Sequence, residues 1–562
     1  MKKNDILQIK ITDLNSEGEG VGRYEGIVVF VPYALPHETV EVLIIKVTKN
    51  YAVGKLLNVI SESPERTEPE CPYFYKCGGC DFQHIKYSKE LELKCETALN
   101  NIRKISGQNI DIKKIIGADK VWNYRNKAQF PVSINNEGKP ILGFFSPRSH
   151  RVVSIEQCML QEEKCNSIIK SIKEIIDEQN IPIYNEQTHT GILRHVIARS
   201  SKNGLMVILV TNSKKQLSNN FVNALKNALP QLTSLIQNIN CHKGNIILGE
   251  ECRVLYGDAY IEDTLCDLNF RLRPLAFLQV NSSQAEKLYN VALEFASLTG
   301  NENVFDAYCG IGIMSLMLAK KAKKLIGVEI VPEAIESAKE SSKINNINNA
   351  EFLVGACEDV LPKLLKKHEK PDVLVVDPPR AGCEESLLKA ISDAEINKIV
   401  YVSCNPATLA RDIKILSEYG YKSSDVVFVD MFCHTKHIES VVCLTRSLTH
   451  SMKLDSAPFE MIKSGQKTIE LRLFDNKRKK LCEGDKIIFT NPITGETLKT
   501  TIIKLHIFDN FETLYSKLPL TKCGYTQENV INASPNDMER YYSKDKQKEF
   551  GVVGIEVKIQ DN

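Results

Sequence analysis

The ten residues Ser403-Cys404-Asn405-Pro406-Ala407-Thr408-Leu409-Ala410-Arg411-Asp412 hold the clearest chemistry in this chain. They follow the apolar run Ile399-Val400-Tyr401-Val402, which predicts a buried strand ending at the cysteine. Ligands of an open α/β sheet bind beyond the carboxyl ends of its strands. Asn405-Pro406 stops the strand and turns the chain. The pattern predicts a thiol held on a rigid element and facing a crevice, as a nucleophile must be. The plain alternative is a buried structural thiol, a common state of cysteine.

A second group of thiols lies in Cys71-Pro72-Tyr73-Phe74-Tyr75-Lys76-Cys77-Gly78-Gly79-Cys80. Three cysteines this close, with glycines that let the backbone wrap, suit zinc or an iron–sulfur cluster. Three is one short of the usual four. Cys95 and Cys165 sit in helix-like segments and read equally well as core, whereas Cys158 follows a strand-like run. The residues alone leave zinc and iron–sulfur open, with three unrelated buried cysteines as the alternative.

Composition bounds these readings. The 562 residues allow roughly three to five domains. Hydrophobic residues make up 43% and charged residues 25%, as in ordinary soluble proteins. No stretch reaches the ~20 apolar residues of a membrane span, and MKKNDILQIKITDLNSEGEG lacks the apolar core of a signal peptide. Seventeen cysteines in such a chain read as reduced thiols, metal ligands or catalytic groups, and the expected location is cytoplasmic. The net charge of +2 predicts no nucleic-acid binding by itself, so that must come from local patches. Trp122-Asn123-Tyr124-Arg125-Asn126-Lys127 sets cations beside aromatics, a combination that can stack on bases, with a solvated strand end as the favoured alternative. Arg194, His195 and Arg199 on a strand-like run are candidate phosphate contacts, with a half-exposed strand as the alternative. The basic run Asn476–Lys480 reads as phosphate contact or, more commonly, a solvated loop.

The elements that must position these groups fall into four regions. Residues 1–60 alternate apolar and polar positions around Gly18, Gly20 and Gly22, which predicts a small OB-like β-barrel. A polar linker, 61–70, leads into a central α/β region, 61–265, that carries the cysteine group. Within 266–446 the pattern is strand, glycine turn, helix: Val304-Phe305-Asp306-Ala307-Tyr308-Cys309-Gly310-Ile311-Gly312, then a helix over 315–322, then Leu325-Ile326-Gly327-Val328-Glu329 with an acid at the strand end. Such an acid binds ribose hydroxyls in a Rossmann-like sheet. Ser315 stands where a dinucleotide fingerprint needs glycine. That favours S-adenosylmethionine, which has no pyrophosphate. Val373-Leu374-Val375-Val376-Asp377-Pro378-Pro379-Arg380 adds a further buried strand ending in an acid. Residues 450–562 form a separate strand-rich region.

Glu17-Gly18-Glu19-Gly20-Val21-Gly22-Arg23 resembles the TRAM domain, an RNA-binding barrel. DAYCGIG, GVE, VVDPPR, YVSCNPATLARD, Phe277-Leu278-Gln279-Val280-Asn281 and Asp430-Met431-Phe432-Cys433-His434-Thr435-Lys436-His437-Ile438-Glu439-Ser440 stand in the order and spacing of the RNA uracil-5-methyltransferases. The resemblance runs from residue 1 to about 446 and is strongest to the 23S rRNA (uracil-5-)-methyltransferases, because the bacterial tRNA enzymes typically lack both barrel and cysteine cluster. It implies Cys404 as the nucleophile at carbon 6 of uracil and Glu439 as the base that removes the carbon 5 proton. It implies Gln279, Tyr308, Glu329 and Asp377 as contacts to S-adenosylmethionine, with Gly310 and Gly312 shaping the pocket. It also implies a 4Fe–4S cluster on Cys71, Cys77, Cys80 and Cys158, and a monomer that binds RNA and no membrane. Two departures stand out. Cys433 replaces the usual proline of Phe-Pro-His-Thr, which loosens the turn before Glu439, and Ile313 replaces a polar residue of some relatives.

Ser464-Gly465-Gln466-Lys467-Thr468-Ile469-Glu470-Leu471-Arg472 and Gly551-Val552-Val553-Gly554-Ile555-Glu556 resemble the ASCH domain, which implies a PUA-like β-barrel with an accessory RNA-binding role. Regular strand spacing puts Lys467 on the face opposite Glu470 and Arg472. Competing functions are a tRNA uracil-5-methyltransferase and a non-catalytic RNA-binding or ribosome-assembly protein. A cytosine-5 enzyme typically uses a second cysteine where this chain has Glu439. An exocyclic-amine enzyme usually has an aromatic residue after Asp-Pro-Pro, where this chain has Arg380.

Overall fold

The structure is a computed structural model and describes every residue except 368–369, 447 and 561–562, with the backbone alone at 480. Its described part divides into two compact units. The first comprises 1–394, 399–414 and 424–443; the second comprises 395–398, 415–423 and 444–562.

The first unit begins with a closed barrel, in the strand order Ile6–Leu14, Gly20–Tyr24, Ile27–Val31, Tyr51–Ser61, Thr39–Val47. The alternation read from the sequence turns Ile9, Ile11, Val29, Val31, Val40 and Val42 inward as its core. Closure leaves no free strand edge.

The central sheet has seven strands, ordered Glu251–Gly257, Leu232–Ile239, Gly204–Thr211, Leu193–Ser201, Lys127–Ile134, Pro140–Phe145 and Val152–Ser154. Helix Glu163–Glu178 packs Ile168, Ile169, Ile172, Ile175 and Ile176 into its core. Leu193–Ser201 is buried at every position, because it has a strand on each side and packed cores on both faces. Arg194, His195 and Arg199 are therefore not phosphate contacts, and the strand is not half-exposed. Arg194 Nη1 donates to the carbonyls of Asn240 and His242 at 2.8 and 2.7 Å. Arg199 Nη2 donates to those of Pro274 and Ala276 at 3.1 and 2.7 Å. Burial pushes the His195 imidazole down to about 4, so the ring is neutral near pH 7.

The third sheet has nine strands. Eight run in the order Ala350–Val354, Lys324–Glu329, Asn303–Ala307, Val373–Val376, Lys398–Ser403, Glu439–Arg446, Val426–Val429, Ile112–Ile116. The strands Asn303–Ala307, Lys324–Glu329, Ala350–Val354 and Val373–Val376 are parallel. Such strands need crossover helices, supplied here by Ile313–Ala319, Pro332–Ile344 and Cys357–Lys366. Ile112–Ile116 comes from the central segment and pairs with Val426–Val429, a non-local pairing that no local pattern announces.

The C-terminal sheet of the second unit has five strands, ordered Thr449–Lys453, Lys486–Thr490, Thr497–Phe508, Val552–Ile559, Ile469–Leu473. It is open, not the closed barrel expected. Phe459 and Ile462 of helix Ser456–Lys463 and Phe511 and Leu514 of helix Phe511–Lys517 cover its apolar surface, so closure is not needed to bury it. Among the described residues no helix is long and apolar enough to cross a membrane.

Candidate active site and cysteine pocket

Three adjacent strands of the nine-stranded sheet deliver the acid–thiol set. Asp377 follows Val373–Val376, Cys404 follows Lys398–Ser403, and Glu439 opens Glu439–Arg446. Cys404 lines a cavity of about 500 Å³ with Arg380, Asn405, Lys436, His437 and Ile438, and the barrel loop Leu14–Gly18 forms part of the same wall. Burial pushes the Cys404 thiol up to about 11, Glu439 and Asp377 add to the rise, and Arg380 opposes it. The Glu439 carboxyl is buried, and among the described residues its Oε2 has no hydrogen-bond partner. Burial first, then the charge of Asp377, holds it well above the usual carboxylate range, again against Arg380. Asp377 is raised by loss of water around it.

Arg380 is the cation of this set, and the surrounding motif residues fix its backbone. Asn405 Nδ2 and Thr408 Oγ1 donate to its carbonyl at 3.0 and 3.2 Å. Its Nη2 lies 3.1 Å from His437 Nε2. Burial and then Arg380 push His437 down to about 4, so Nε2 is the acceptor. Asp412, the last residue of the cysteine motif, accepts from Cys383 N at 2.8 Å and from the Tyr401 hydroxyl at 2.6 Å, which braces the loop behind Arg380.

The glycine turn lies at the end of Asn303–Ala307. Tyr308, Gly310 and Gly312 have φ of +64°, +55° and +80°. At Gly312 a Cβ would sit 2.9 Å from Ala338 Cβ and 3.1 Å from the Phe352 ring, so only glycine fits. At Gly310 the space above the backbone is open. Glu329 accepts from Gly310 N at 3.1 Å and from Val331 N at 3.0 Å, which aims its carboxylate at the turn. The Tyr308 hydroxyl donates to Glu358 Oε1 at 2.5 Å. Ser315, the break in the dinucleotide fingerprint, donates to Asp306 Oδ2 at 2.5 Å; burial raises that carboxyl to about 7. Tyr308, Gly310 and Glu329 are thus brought together, and Asp377 N reaches Ala307 O at 3.4 Å. Gln279 is held from the central sheet instead: Asn126 Nδ2 donates to its carbonyl at 3.1 Å.

Cys71, Cys77, Cys80 and Cys158 line one cavity of about 100 Å³, with Gln83, Arg125 and apolar neighbours. All four are free thiols. Burial pushes Cys77 up to about 11 and raises Cys80 and Cys158 as well. Among the described residues no group of three or more His, Cys, Asp or Glu meets the geometry of a metal site. Cys95 and Cys165 are buried in helices Tyr87–Ser106 and Glu163–Glu178. The Trp122–Lys127 set is not a free stacking platform. Trp122 stacks on His434 with ring centroids 3.9 Å apart, and the buried Tyr124 donates to Cys433 O at 2.9 Å. Tyr124 is thus buried, and one face of the half-buried Trp122 is taken by His434.

In the second unit Lys467 Nζ lies 2.8 Å from Glu470 Oε2, and Arg472 Nε lies 2.9 Å from Glu470 Oε1. The strand starts only at Ile469, so strand alternation does not govern Lys467 and all three meet. In the basic run, Arg478 pairs with Asp475 at 2.7 Å; the Lys480 side chain lies outside the described residues.

The tRNA (uracil-5-)-methyltransferase family matches residues 86–447, the TRAM domain residues 2–57 and the ASCH domain residues 452–560. An uncharacterized RNA methyltransferase of Clostridium tetani is 46% identical over 448 residues, 79% of this chain and 97% of that protein. The chain belongs to this family. It is an RNA (uracil-5-)-methyltransferase with an N-terminal TRAM and a C-terminal ASCH domain. A second uncharacterized RNA methyltransferase, from Halalkalibacterium halodurans, is 44% identical over 79% of this chain and 98% of its own length. The crystal structure of the Pyrococcus abyssi tRNA (uracil-54, C5)-methyltransferase in complex with S-adenosyl-L-homocysteine aligns with a TM-score of 0.62 and 27% identity, covering 78% of this chain and all of that one.

Sequence reading gave no role to Arg380, His437, Glu358 or Asn126. Arg380 and His437 stood inside quoted motifs and were legible there. Glu358 and Asn126 act on partners 50 and 153 residues away, Tyr308 and Gln279, and no local pattern marks them.

Proposed function

We propose that this family member methylates carbon 5 of a uridine in 23S rRNA, with Cys404 as nucleophile and Glu439 as base. The observation that carries the reading is the Cys404 thiol on the wall of a large cavity, acted on by the buried Glu439, by Asp377 and by Arg380. Carbon 5 of uracil is a poor nucleophile. Addition of the Cys404 thiolate to carbon 6 turns the carbon 5–carbon 6 double bond into an enolate that is nucleophilic at carbon 5. Once carbon 5 is methylated, Glu439 removes its remaining proton, the double bond re-forms and the thiolate leaves. A carboxyl held high by burial is matched to that task near neutral pH. Arg380 favours the thiolate over the thiol. A stacked base must leave its stack to reach the thiol.

Bound S-adenosylmethionine supplies the electrophilic methyl group. The open approach over Gly310 and the aimed Glu329 carboxylate fit its adenosine. Tyr308, Gln279 and Asp377 complete the proposed contacts, with Gly312 closing the turn. Cys71, Cys77, Cys80 and Cys158, which line the small cavity together, are the proposed ligands of a 4Fe–4S cluster. Burial and the neighbouring thiols raise Cys77, Cys80 and Cys158, and binding iron would discharge their protons. A structural role suits it best. The favoured location is cytoplasmic.

The choice of 23S rRNA rests on the barrel and the cysteine pocket occurring beside the catalytic motifs. The second reading is a tRNA substrate, favoured by the family's description and by the Pyrococcus enzyme. Mapping 5-methyluridine in ribosomal and transfer RNA from cells with and without this protein tests both. Loss of a 23S rRNA site supports the first reading; loss confined to tRNA replaces it with the second.

A further inference from the structure

The loop that carries three of the pocket cysteines is bonded directly to the turn that precedes Glu439. Asp81 N and Phe82 N both donate to His434 O, at 2.8 and 3.1 Å. One residue pair on, Asp81 Oδ2 accepts from Lys436 N at 3.0 Å. The turn needs such support: His434 has φ +63°, a region that side-chain-bearing residues rarely adopt. Glu90 Oε1 accepts from His434 N at 2.7 Å, and Tyr124 holds Cys433 O. These grips act on the upstream limb. The Asp81 carboxylate grips the downstream limb, three residues from Glu439.

We infer that Asp81 is a positioning residue for the methyl-transfer reaction: its carboxylate fixes Lys436 N and thereby the entry of the chain into Glu439. Three residues span at most about 10 Å of extended chain, and Ile438 between them is buried. A shift at Lys436 is therefore passed on to Glu439. Proton removal requires an approach of roughly 3 Å, so a displacement of about 1 Å is felt in the rate. The same bonds make the cysteine loop and the catalytic turn one mechanical piece. The inference rests on the reading of Glu439 as base, and its test separates the two.

The full-length protein is compared with Asp81→Ala and with Asp81→Asn, which keeps an oxygen acceptor for Lys436 N. Three quantities are measured: amide hydrogen exchange over 433–439, covalent trapping on RNA containing 5-fluorouridine, and turnover on ordinary RNA. In Asp81→Ala, exchange over 433–439 should quicken and kcat should fall about 10-fold with KM nearly unchanged. The trapping rate should hold, because Cys404 addition does not need the base, and unreleased RNA–protein adduct should accumulate on ordinary RNA. Asp81→Asn should restore slow exchange and most of kcat. Unchanged exchange in Asp81→Ala overturns the inference, as does an equal fall in trapping and turnover, or an Asn variant as poor as Ala. If the native protein itself traps no 5-fluorouridine RNA, the Cys404 reading falls, while the exchange data still decide whether Asp81 holds the turn.

Discussion

Cys404 and the four cysteines of the small cavity carry the same side chain in opposite surroundings. Cys404 stands alone among two acids and an arginine, on the wall of a cavity of about 500 Å³. The other four line a cavity of about 100 Å³, mostly beside apolar groups. Burial raises both kinds of thiol. What differs is the source of relief. Arg380 pulls one thiol toward its ionised form, and an open cavity admits a substrate. Neighbouring thiols add to the rise at Cys77, Cys80 and Cys158, and a shared cation would let them ionise together. On the proposed reading, neighbours and not the thiol itself separate the nucleophile from the ligand set.

The comparison breaks most directly at Cys404. Cys404→Ala should remove adduct formation and lower methyl transfer by on the order of 10⁴-fold or more, read as labelled methyl incorporated into RNA. Residual transfer near the native rate would show that the lone thiol is not a nucleophile. Glu439→Gln comes next: turnover should fall about 10²- to 10⁴-fold while the covalent RNA complex builds up on a denaturing gel. A variant that neither slows nor accumulates adduct would leave Glu439 a bystander.

Cys158→Ser should act on the other side of the comparison. Iron and sulfide content of anaerobically purified protein should drop, and the melting temperature with it, while trapping of 5-fluorouridine RNA survives better than in Cys404→Ala. Stoichiometric zinc without iron in the native protein would contradict the cluster assignment.

The pH dependence sharpens the electrostatics. The base form of Glu439 is gained as pH rises through its elevated folded value, so kcat should climb at pH values above the ordinary carboxylate range. Asp377 raises Glu439 and Arg380 lowers it. The ascending limb should move to lower pH in Asp377→Asn and to higher pH in Arg380→Gln; shifts in the same direction would refute the assignment of these neighbours. The smallest effect concerns stability. Asp377 is raised to about 7 in the fold, against about 3.9 in an unfolded chain. Its ionisation therefore costs stability progressively between those values and fully above them. Asp377→Asn should gain melting temperature at pH 8 and lose that gain toward pH 4, as followed by calorimetry.

The sequence by itself determined the barrel, the parallel strands, the glycine turn and the strand-end thiol. These are features of period 2, of short apolar runs and of turn residues, all set within about ten neighbouring positions. It also marked Asp377 and Arg380, which lie beside a strand it could read. It misplaced Arg194, Arg199 and Trp122, because periodicity records which face a side chain takes and not what later covers that face. It drew the C-terminal sheet closed, and it put Lys467 opposite Glu470 by extending a strand that begins two residues later. Only the tertiary structure decided that Ile112–Ile116 joins the catalytic sheet, that Cys158 shares a cavity with Cys71, Cys77 and Cys80, and that Asp81 grips the turn before Glu439. Those partners lie tens to hundreds of residues apart. Their meeting is fixed by how buried surfaces pack, and no local spacing encodes that.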